Sequence, residues 1–314
     1  MTFRIGEEVR DALAGGVGVV ALETSVIGQG LPRPRNVECI ERMSGAIRAA
    51  GSVPAWIGVV DGALTVGLTD EALGRFTEPG VATKVARRDY PIAVASAALG
   101  ATTVSATIWA AAKAGIAVGA TGGIGGVHPG DEPDVSADLL ELARTPGMLV
   151  CSGPKSIIDP FATAERLEEL GVALVGFGVD RLPFFLAREA PVELEHRVDS
   201  AADAAAVASA ARRLGTSSTV LLCNPVPPGL EMDRDEVASA ADEAERRADA
   251  DGVDGKARTP YLLAALAEIT GGRSLEANLA LLEDNARVAA EVAAAVVTPE
   301  RRDATGARSS RSPS

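Results

Sequence analysis

Short apolar runs alternate with longer amphipathic segments along most of the chain. The apolar runs predict strands at Val17–Leu22, Val53–Val60, Ala63–Leu68, Val81–Ala86, Ile116–Ala120, Leu149–Cys151, Val172–Phe177 and Thr219–Cys223, and a short strand or turn at Ala101–Val104. The amphipathic segments predict helices at Ile5–Leu13, Asn36–Ala50, Asp89–Leu99, Ser105–Ala114, Ala137–Arg144, Pro160–Leu170, Ala201–Leu214, Asp233–Ala250, Tyr261–Ile269 and Ser274–Val297, with a short helix after Thr69. This alternation predicts an α/β/α layered fold with a mainly parallel central sheet.

Local signals refine this pattern at a few places. Asp61-Gly62 between two strand patterns predicts a two-residue hairpin turn. The segment from Glu23 to Asn36 predicts a long loop, with Asn36 capping the helix that follows. Residues 1–298 are expected to form a single domain. Residues 299–314 are rich in arginine, serine and proline without an apolar period, which predicts a disordered tail.

Chemically active side chains follow the predicted strands. Right-handed crossovers between parallel strands place the loops that follow those strands on one edge of the sheet. The residues at or near these positions are Glu23, Lys84, His128, Asp134, Asp138, Lys155 and Asn224. Their convergence predicts a functional site at that edge.

The segment Thr121–Asp138, TGGIGGVHPGDEPDVSAD, concentrates the strongest signals. Four glycines in six positions allow backbone N–H groups to turn towards one point. His128, one of two histidines, comes next, and the acids that follow are Asp131, Glu132, Asp134 and Asp138. A solvated acidic loop would explain the glycines and the acids, but the histidine favours a loop of an active site.

Lysine is rare among the basic residues: Lys84, Lys113, Lys155 and Lys256 are the four lysines among thirty lysines and arginines. A lysine amine can lose its proton and attack a carbonyl, whereas a guanidinium stays protonated. Lys113 is most simply a solvated helical lysine. Lysines beside carboxylates therefore suggest imine chemistry at a carbonyl or masked aldehyde, with one lysine left charged to hold an anion such as phosphate.

Two other kinds of site fit some of these residues. Asp134 and Asp138, four residues apart, suit either a hard divalent metal held through oxygen or the start of a helix, which also attracts acids. Glycine-rich amides and the turn at Ala101–Val104 suit phosphate oxygens. GGIGG is not the GxGxxG of a dinucleotide site, and no early strand–turn–helix unit surrounds it, so NAD is not expected.

Composition narrows the class of partner. The 314 residues carry a net charge of −13, which argues against nucleic acid or an anionic membrane as partner. No N-terminal apolar segment resembles a signal or a membrane span, so we expect a cytoplasmic protein. Cys39, Cys151 and Cys223 occur singly and predict neither a disulfide framework nor a zinc site.

Ten segments, in order along the chain, resemble one known family, the pseudouridine-5′-phosphate glycosidases or indigoidine synthase A family. These segments are LETSVIGQGLPRPRN, TKVARRD, GATTVSAT, TGGIGGVH, DVSADLLELARTP, CSGPKSIID, VDS, NPVP, TPYLL and GGRSLEANLALLEDNA. The resemblance covers nearly everything from about residue 5 to residue 297. It implies an α/β/α fold, a homotrimer, a divalent metal, typically Mn2+, and a small-molecule substrate. The implied reaction is reversible cleavage of the C–C glycosidic bond of pseudouridine 5′-phosphate to ribose 5-phosphate and uracil.

The resemblance also implies a role for each matching residue. Lys155 matches the nucleophile that forms an imine at ribose C1′, and Glu23 matches the general acid and base. Asp134 matches the metal ligand. The positions that match substrate-binding residues are Lys84, Val104, His128, Ser136, Ala137, Asp138 and Asn278.

Because this sequence departs from the family pattern at several positions, the resemblance does not determine the identity of the aglycone. Gln29 stands where the family usually has a histidine, and FGVDRLPFF, with Arg181, stands where the family commonly reads YGTDEFPAF. These changes fit a relative that attaches ribose 5-phosphate through carbon to an aromatic acceptor in antibiotic biosynthesis, or ordinary drift. A non-catalytic sugar-phosphate-binding protein is the alternative from another class, although it would need neither Glu23 nor Lys155.

Overall fold

A twisted, mostly parallel sheet runs through the computed structural model, which describes residues 2–129 and 134–306. Its strands in the described chain are β1 (Phe3–Ile5), β2 (Val19–Glu23), β3 (Val53–Val60), β4 (Ala63–Val66), β5 (Thr83–Val85), β6 (Gly100–Thr102), β7 (Val118–Ala120), β8 (Gly147–Cys151), β9 (Leu174–Phe177), β10 (His196–Val198) and β11 (Thr219–Cys223). They lie in the order β1-β4-β3-β2-β7-β8-β11-β9-β10, with β6 antiparallel to β3 and β5 parallel to β6.

Helices cover both faces of this sheet. They are α1 (Glu7–Gly15), α2 (Arg35–Ala49), α3 (Asp70–Phe76), α4 (Tyr90–Ala95), α5 (Val104–Ala114), α6 (Ala137–Arg144), α7 (Pro160–Glu169), α8 (Ala201–Leu214), α9 (Arg234–Ala250), α10 (Arg258–Ile269) and α11 (Arg273–Gly306). Alternate residues of β2 point to opposite layers. Val20 and Leu22 pack with α2 and α11, whereas Val19 and Ala21 pack with α1 and α5. The predicted α/β/α layers with a mainly parallel sheet are therefore confirmed.

The carboxyl ends of four neighbouring strands meet at one edge of the sheet. In the register of the parallel pairs, Leu22 of β2 lies opposite Ala120 of β7, and Ala120 lies opposite Val150 of β8. Cys151 of β8 in turn lies opposite Cys223 of β11. The residues that leave these strands are therefore neighbours in space, although they are far apart in the sequence.

The hairpin at Asp61-Gly62 is confirmed. It joins β3 to the antiparallel β4, with φ of 49° at Asp61 and 72° at Gly62. Positive φ at both positions is the conformation that suits a two-residue hairpin turn.

Two edge strands are absent from the predicted set. β1 pairs with β4, and β10 pairs with β9, each over three residues. Such short segments carry no period of their own, and their pairing depends on strands that are distant in sequence. Because Ile5 belongs to β1, the first helix begins at Glu7 rather than at Ile5, where the sequence pattern predicts its start.

The role predicted for Asn36 is wrong. Helix α2 begins at Arg35, and the loop before it contains a π-helical turn at Val26–Gly30. Asn36 is buried, and its Nδ2 donates hydrogen bonds to the carbonyls of Ile27 and Thr77, both at 3.0 Å. Asn36 thus joins separate segments instead of capping its own helix.

The end of the chain differs in part from the prediction. Helix α11 continues to Gly306, so residues 299–306 are helical where the sequence predicts disorder. Residues 307–314 of the predicted tail lie outside the described residues. Over the described residues, none of the helices is both long and apolar enough to cross a membrane.

Candidate active site

A cavity of about 300 Å³ opens at the carboxyl edge of the sheet. The ten residues matched to family positions all line it, namely Glu23, Lys84, Val104, His128, Asp134, Ser136, Ala137, Asp138, Lys155 and Asn278. Asn224, also expected at this edge, is not among the described residues that line the cavity. Asp131 and Glu132 lie outside the described residues. The structure thus gathers one site from loops, strand ends and a distant helix.

Glu23 is the last residue of β2, and its side chain is only 5% exposed. Its Oε2 accepts a hydrogen bond from the Ser25 hydroxyl at 2.6 Å. Its Oε1 accepts a second hydrogen bond from the Thr121 hydroxyl. Two donors on separate oxygens fix the plane of the carboxylate. Glu23 is therefore held in one orientation on the wall of the cavity.

Lys155 follows β8 after the turn Ser152-Gly153-Pro154. Gly153 has φ of 74°, and a Cβ at this position would lie 1.9 Å from the carbonyl oxygen of Pro183, so a glycine is required here. The backbone of Lys155 is held at both ends, by an N–H bond to Ile124 at 3.1 Å and a bond from Ile158 at 2.9 Å. Lys155 is half-buried, and no carboxylate in the described chain lies within 4.0 Å of its amine. The amine is thus available for nucleophilic attack.

Asp138 joins three elements around the cavity. Its Oδ1 accepts a hydrogen bond from the N–H of Ser105 at 2.9 Å, and its Oδ2 accepts one from the N–H of Gly125 at 3.0 Å. The side chain is 6% exposed and lies in the first turn of α6, behind the N-cap Ser136. Both carboxylate oxygens are therefore engaged in holding the start of α5 and the glycine-rich turn beside α6.

Positive charge and backbone amides meet on one wall. Lys84 in β5 lines the cavity together with Thr103, Val104 and Ser105, which form the N-terminus of α5. A helix N-terminus carries a partial positive charge and directs N–H groups outwards, which suits phosphate. This wall is the part of the cavity best suited to an anion.

His128 lines the cavity. Its backbone N–H donates to the carbonyl of Asp134 at 2.9 Å, so residues 126–128 pair with residues 134–136. Within the described chain, Nδ1 is buried without a hydrogen-bond partner. Burial lowers the pKa of His128, against the opposing charges of Asp134 and Glu245. A neutral imidazole is therefore the expected form near pH 7.

Asn278 reaches the cavity from α11. It is 7% exposed, and its Oδ1 has no hydrogen-bond partner among the described residues. A buried amide oxygen without a partner is uncommon and costly in a folded protein. A polar ligand in the cavity would remove that cost.

The donor set fits a hard divalent ion held mainly by water. Asp134 is an exposed carboxylate on the cavity wall, whereas the Asp138 oxygens are already engaged by amides. The described residues contain no group of three His, Cys, Asp or Glu side chains able to hold a metal. One carboxylate with water suits magnesium or manganese and does not suit zinc.

The sequence does not reveal that Ser25 and Thr121 orient Glu23. Phe185, with a left-handed φ of 52°, lines the cavity against Gly122 and Gly123. Such a φ is uncommon outside glycine. Only the order of strands in the sheet would have placed Thr121 beside Glu23, because the two residues are 98 positions apart.

The layered fold, the oriented carboxylate and the lysine on the cavity wall define an α/β enzyme that acts on a small molecule. The chain belongs to the indigoidine synthase A-like protein family, whose profile matches residues 8–295. The expected family is thereby confirmed.

Named relatives and solved structures agree with this assignment. The chain is 46% identical over 295 residues to a pseudouridine-5′-phosphate glycosidase of Sorangium cellulosum, with 93% of each chain covered. An indigoidine synthase A-like protein of Thermotoga maritima superposes with a TM-score of 0.87 at 38% identity, over 95% of this chain and 97% of the other. The prealnumycin C-glycosynthase AlnA, solved with ribulose 5-phosphate, has a TM-score of 0.87 at 40% identity, over 96% and 99%.

Proposed function

We propose that this protein cleaves the C–C glycosidic bond of pseudouridine 5′-phosphate, reversibly, to ribose 5-phosphate and uracil. The observation that carries the proposal is that Glu23 and Lys155 line one cavity beside an anion-binding helix N-terminus. Relatives that bear the name of this activity are 46% identical over more than nine-tenths of the chain.

The reaction begins at ribose C1′. The Lys155 amine forms a C–N bond to C1′ as the C1′–O4′ bond breaks, and O4′ takes up the proton that the nitrogen then loses. The nitrogen lone pair then forms the C=N bond as the bond from C1′ to uracil C5 breaks. That bond's electron pair stays on C5, which receives a proton from Glu23. Water hydrolyses the imine, which frees Lys155 and releases ribose 5-phosphate.

The remaining residues bind and orient the substrate. Lys84 and the α5 N-terminus at Val104 suit the 5′-phosphate, while His128 and Asn278 offer hydrogen-bonding groups to the sugar or the base. Ser136, Ala137 and Asp138 form the wall between them. Asp134 would hold Mn2+, which supplies positive charge and ordered water next to the substrate when bound.

Carbon–carbon bond formation to an aromatic acceptor is the second candidate, and the 40% identity to the C-glycosynthase AlnA favours it. The two departures from the family pattern lie in different places. Gln29 lines the cavity, with its Nε2 donating to the carbonyl of Ala82 at 2.9 Å. Arg181 is exposed, with its Nη1 3.5 Å from Glu189, and is not one of the described lining residues. Gln29 therefore lies where it can contact a bound molecule, whereas the change at Arg181 is consistent with drift.

The test is incubation of the purified protein with Mn2+ and pseudouridine 5′-phosphate, with uracil and ribose 5-phosphate measured over time. Release of both products would support the glycosidase. No release, combined with borohydride trapping of ribose 5-phosphate on Lys155, would favour the synthase. Binding of ribose 5-phosphate with neither result would favour a non-catalytic binding protein.

The assembly and the compartment are part of the same proposal. We infer a homotrimer on the basis of the family resemblance, and we propose a cytoplasmic location. Cys39, Cys151 and Cys223 are buried unpaired thiols, which is compatible with a reducing compartment. Sedimentation equilibrium of the full chain would give about three times the 32.0 kDa chain mass if the inference is right.

A further inference from the structure

One fully buried amide on α11 holds three strand ends together. Asn285 is 0% exposed. Its Nδ2 donates hydrogen bonds to the carbonyl of Thr121 at 2.8 Å and to the Ser152 hydroxyl at 3.0 Å. Its Oδ1 accepts one from Nδ2 of Asn224 at 3.0 Å. The nitrogen and the oxygen of the Asn285 amide therefore bond to different loops.

These three partners are the first residues after neighbouring strands. Thr121 follows β7, Ser152 follows β8 and Asn224 follows β11. The N–H of Ser152 also donates to the carbonyl of Gly122 at 2.7 Å, which joins the first two exits directly. Asn285 therefore sets the spacing of the loops at the edge of the sheet where the cavity opens.

The same hydrogen bonds connect Asn285 to Glu23 and Lys155, the two side chains that we propose react with the substrate. The Thr121 hydroxyl donates to Glu23, so the segment held by Asn285 also orients the carboxylate. Ser152 begins the turn that delivers Lys155, whose N–H is bonded to Ile124 in the glycine-rich turn. Asn285 itself is not one of the described residues that line the cavity.

We propose that Asn285 is a positioning residue, which keeps the Glu23 carboxylate and the Lys155 amine at the separation that imine formation and proton transfer require. The inference rests on the proposed function of these two residues. A displacement of a reacting group by about 1 Å costs on the order of 100-fold in rate. Substrate affinity depends on Lys84 and α5, which Asn285 does not contact through any described hydrogen bond.

The test compares Asn285→Ala with a matched control in the full chain. The control is Ser52→Ala: Ser52 is 3% exposed, and its hydroxyl donates to the carbonyl of Ala290, also in α11, at 2.9 Å. Ser52 precedes β3 and therefore lies at the opposite edge of the sheet from the cavity. Ser52→Ala removes one buried hydrogen bond to this helix and Asn285→Ala removes three, but only Asn285→Ala loosens the strand exits.

Four quantities are measured for each variant: kcat and KM for pseudouridine 5′-phosphate, the rate of borohydride labelling of Lys155 by ribose 5-phosphate, and Tm. In Asn285→Ala we expect kcat and the labelling rate to fall by about 10- to 100-fold. KM should stay within about threefold, because phosphate binding is unaffected. Ser52→Ala should keep kcat and the labelling rate within about twofold while it lowers Tm.

Other outcomes overturn the proposal. Rates within about twofold of the parent, or equal losses in both variants, would mean that Asn285 only stabilises the fold. If Asn285→Ala does not fold, Ser152→Ala, which removes one hydroxyl of the network, is measured by the same criteria. If the parent protein shows neither uracil release nor labelling, the proposed function fails, and this inference fails with it. Labelling without uracil release rejects the glycosidase alone and leaves the labelling rate to decide on Asn285.

Discussion

The hydroxyl of Thr121, the residue after β7, donates a hydrogen bond to Oε1 of Glu23, the last residue of β2. The two strands are parallel neighbours, so this contact crosses the edge of the sheet where the cavity opens. Ser25 donates to the other oxygen of the same carboxylate. The carboxylate that we propose as the proton-transferring group is therefore held from its own loop and from the glycine-rich turn.

Replacing Thr121 by valine tests this contact. Thr121→Val keeps the shape of the side chain but removes the hydroxyl, so the Glu23 carboxylate loses one of its two donors. Loss of one charge-assisted hydrogen bond corresponds to about 2 kcal/mol, or roughly a 30-fold fall in kcat if the orientation matters only in the transition state. Steady-state kinetics on pseudouridine 5′-phosphate measure this fall in kcat. Thr121→Ser, which keeps a hydroxyl, is the control. An unchanged kcat in Thr121→Val would show that Ser25 alone suffices.

Replacing Lys155 tests the covalent step. Lys155→Ala removes the amine, and we expect kcat to fall on the order of 1,000-fold or more, because no other nucleophile occupies its place. Lys155→Arg is the matched control, since it keeps a positive charge but cannot form an imine at neutral pH. Both variants should lose turnover and borohydride labelling together. Activity in Lys155→Arg close to that of the parent would contradict the imine mechanism.

Elements with a strong local period could be predicted to the residue. Helices α6 and α8 and strand β11 have the bounds that their apolar pattern predicts. Because strand ends could be predicted, Glu23 and Lys155 could be placed at the edge of the sheet. Local sequence is sufficient where burial alternates regularly along one element.

Contacts between elements could not be predicted in this way. The order β2-β7-β8-β11 is not the order of the chain, so nothing local links Glu23 with Thr121. Asn285 bonds to Ser152 across 133 positions, and its helical neighbours give no sign of that partner. The misassigned Asn36 shows the same effect, because its amide bonds to Thr77 rather than to its own helix. In each of these cases, the contact is a hydrogen bond between residues that are far apart in the sequence.

Asp138 is expected to matter more for stability than for metal binding. Its two oxygens accept N–H bonds from Ser105 and Gly125, and Asp138→Asn would set an NH2 group against one of those donors. Because the site is buried, the free energy of unfolding should fall by about 2 kcal/mol. Urea denaturation measures this change. The Kd for Mn2+, determined by calorimetry on the folded variant, should stay within about threefold. A large loss of Mn2+ affinity with unchanged stability would contradict the structural role.

Asp134 should show the opposite behaviour. Its carboxylate is exposed on the cavity wall, so Asp134→Asn removes a charged metal ligand with little effect on packing. The free energy of unfolding should change by less than about 0.5 kcal/mol, whereas the Kd for Mn2+ should rise by at least about tenfold because a carboxylate is the main protein ligand. Treatment of the parent with a chelator should stop turnover, and added Mn2+ should restore it. In Asp134→Asn, restoration should require a higher Mn2+ concentration in proportion to the raised Kd. If the variant binds Mn2+ as the parent does, or if chelation leaves the rate unchanged, Asp134 does not hold a metal that the reaction needs.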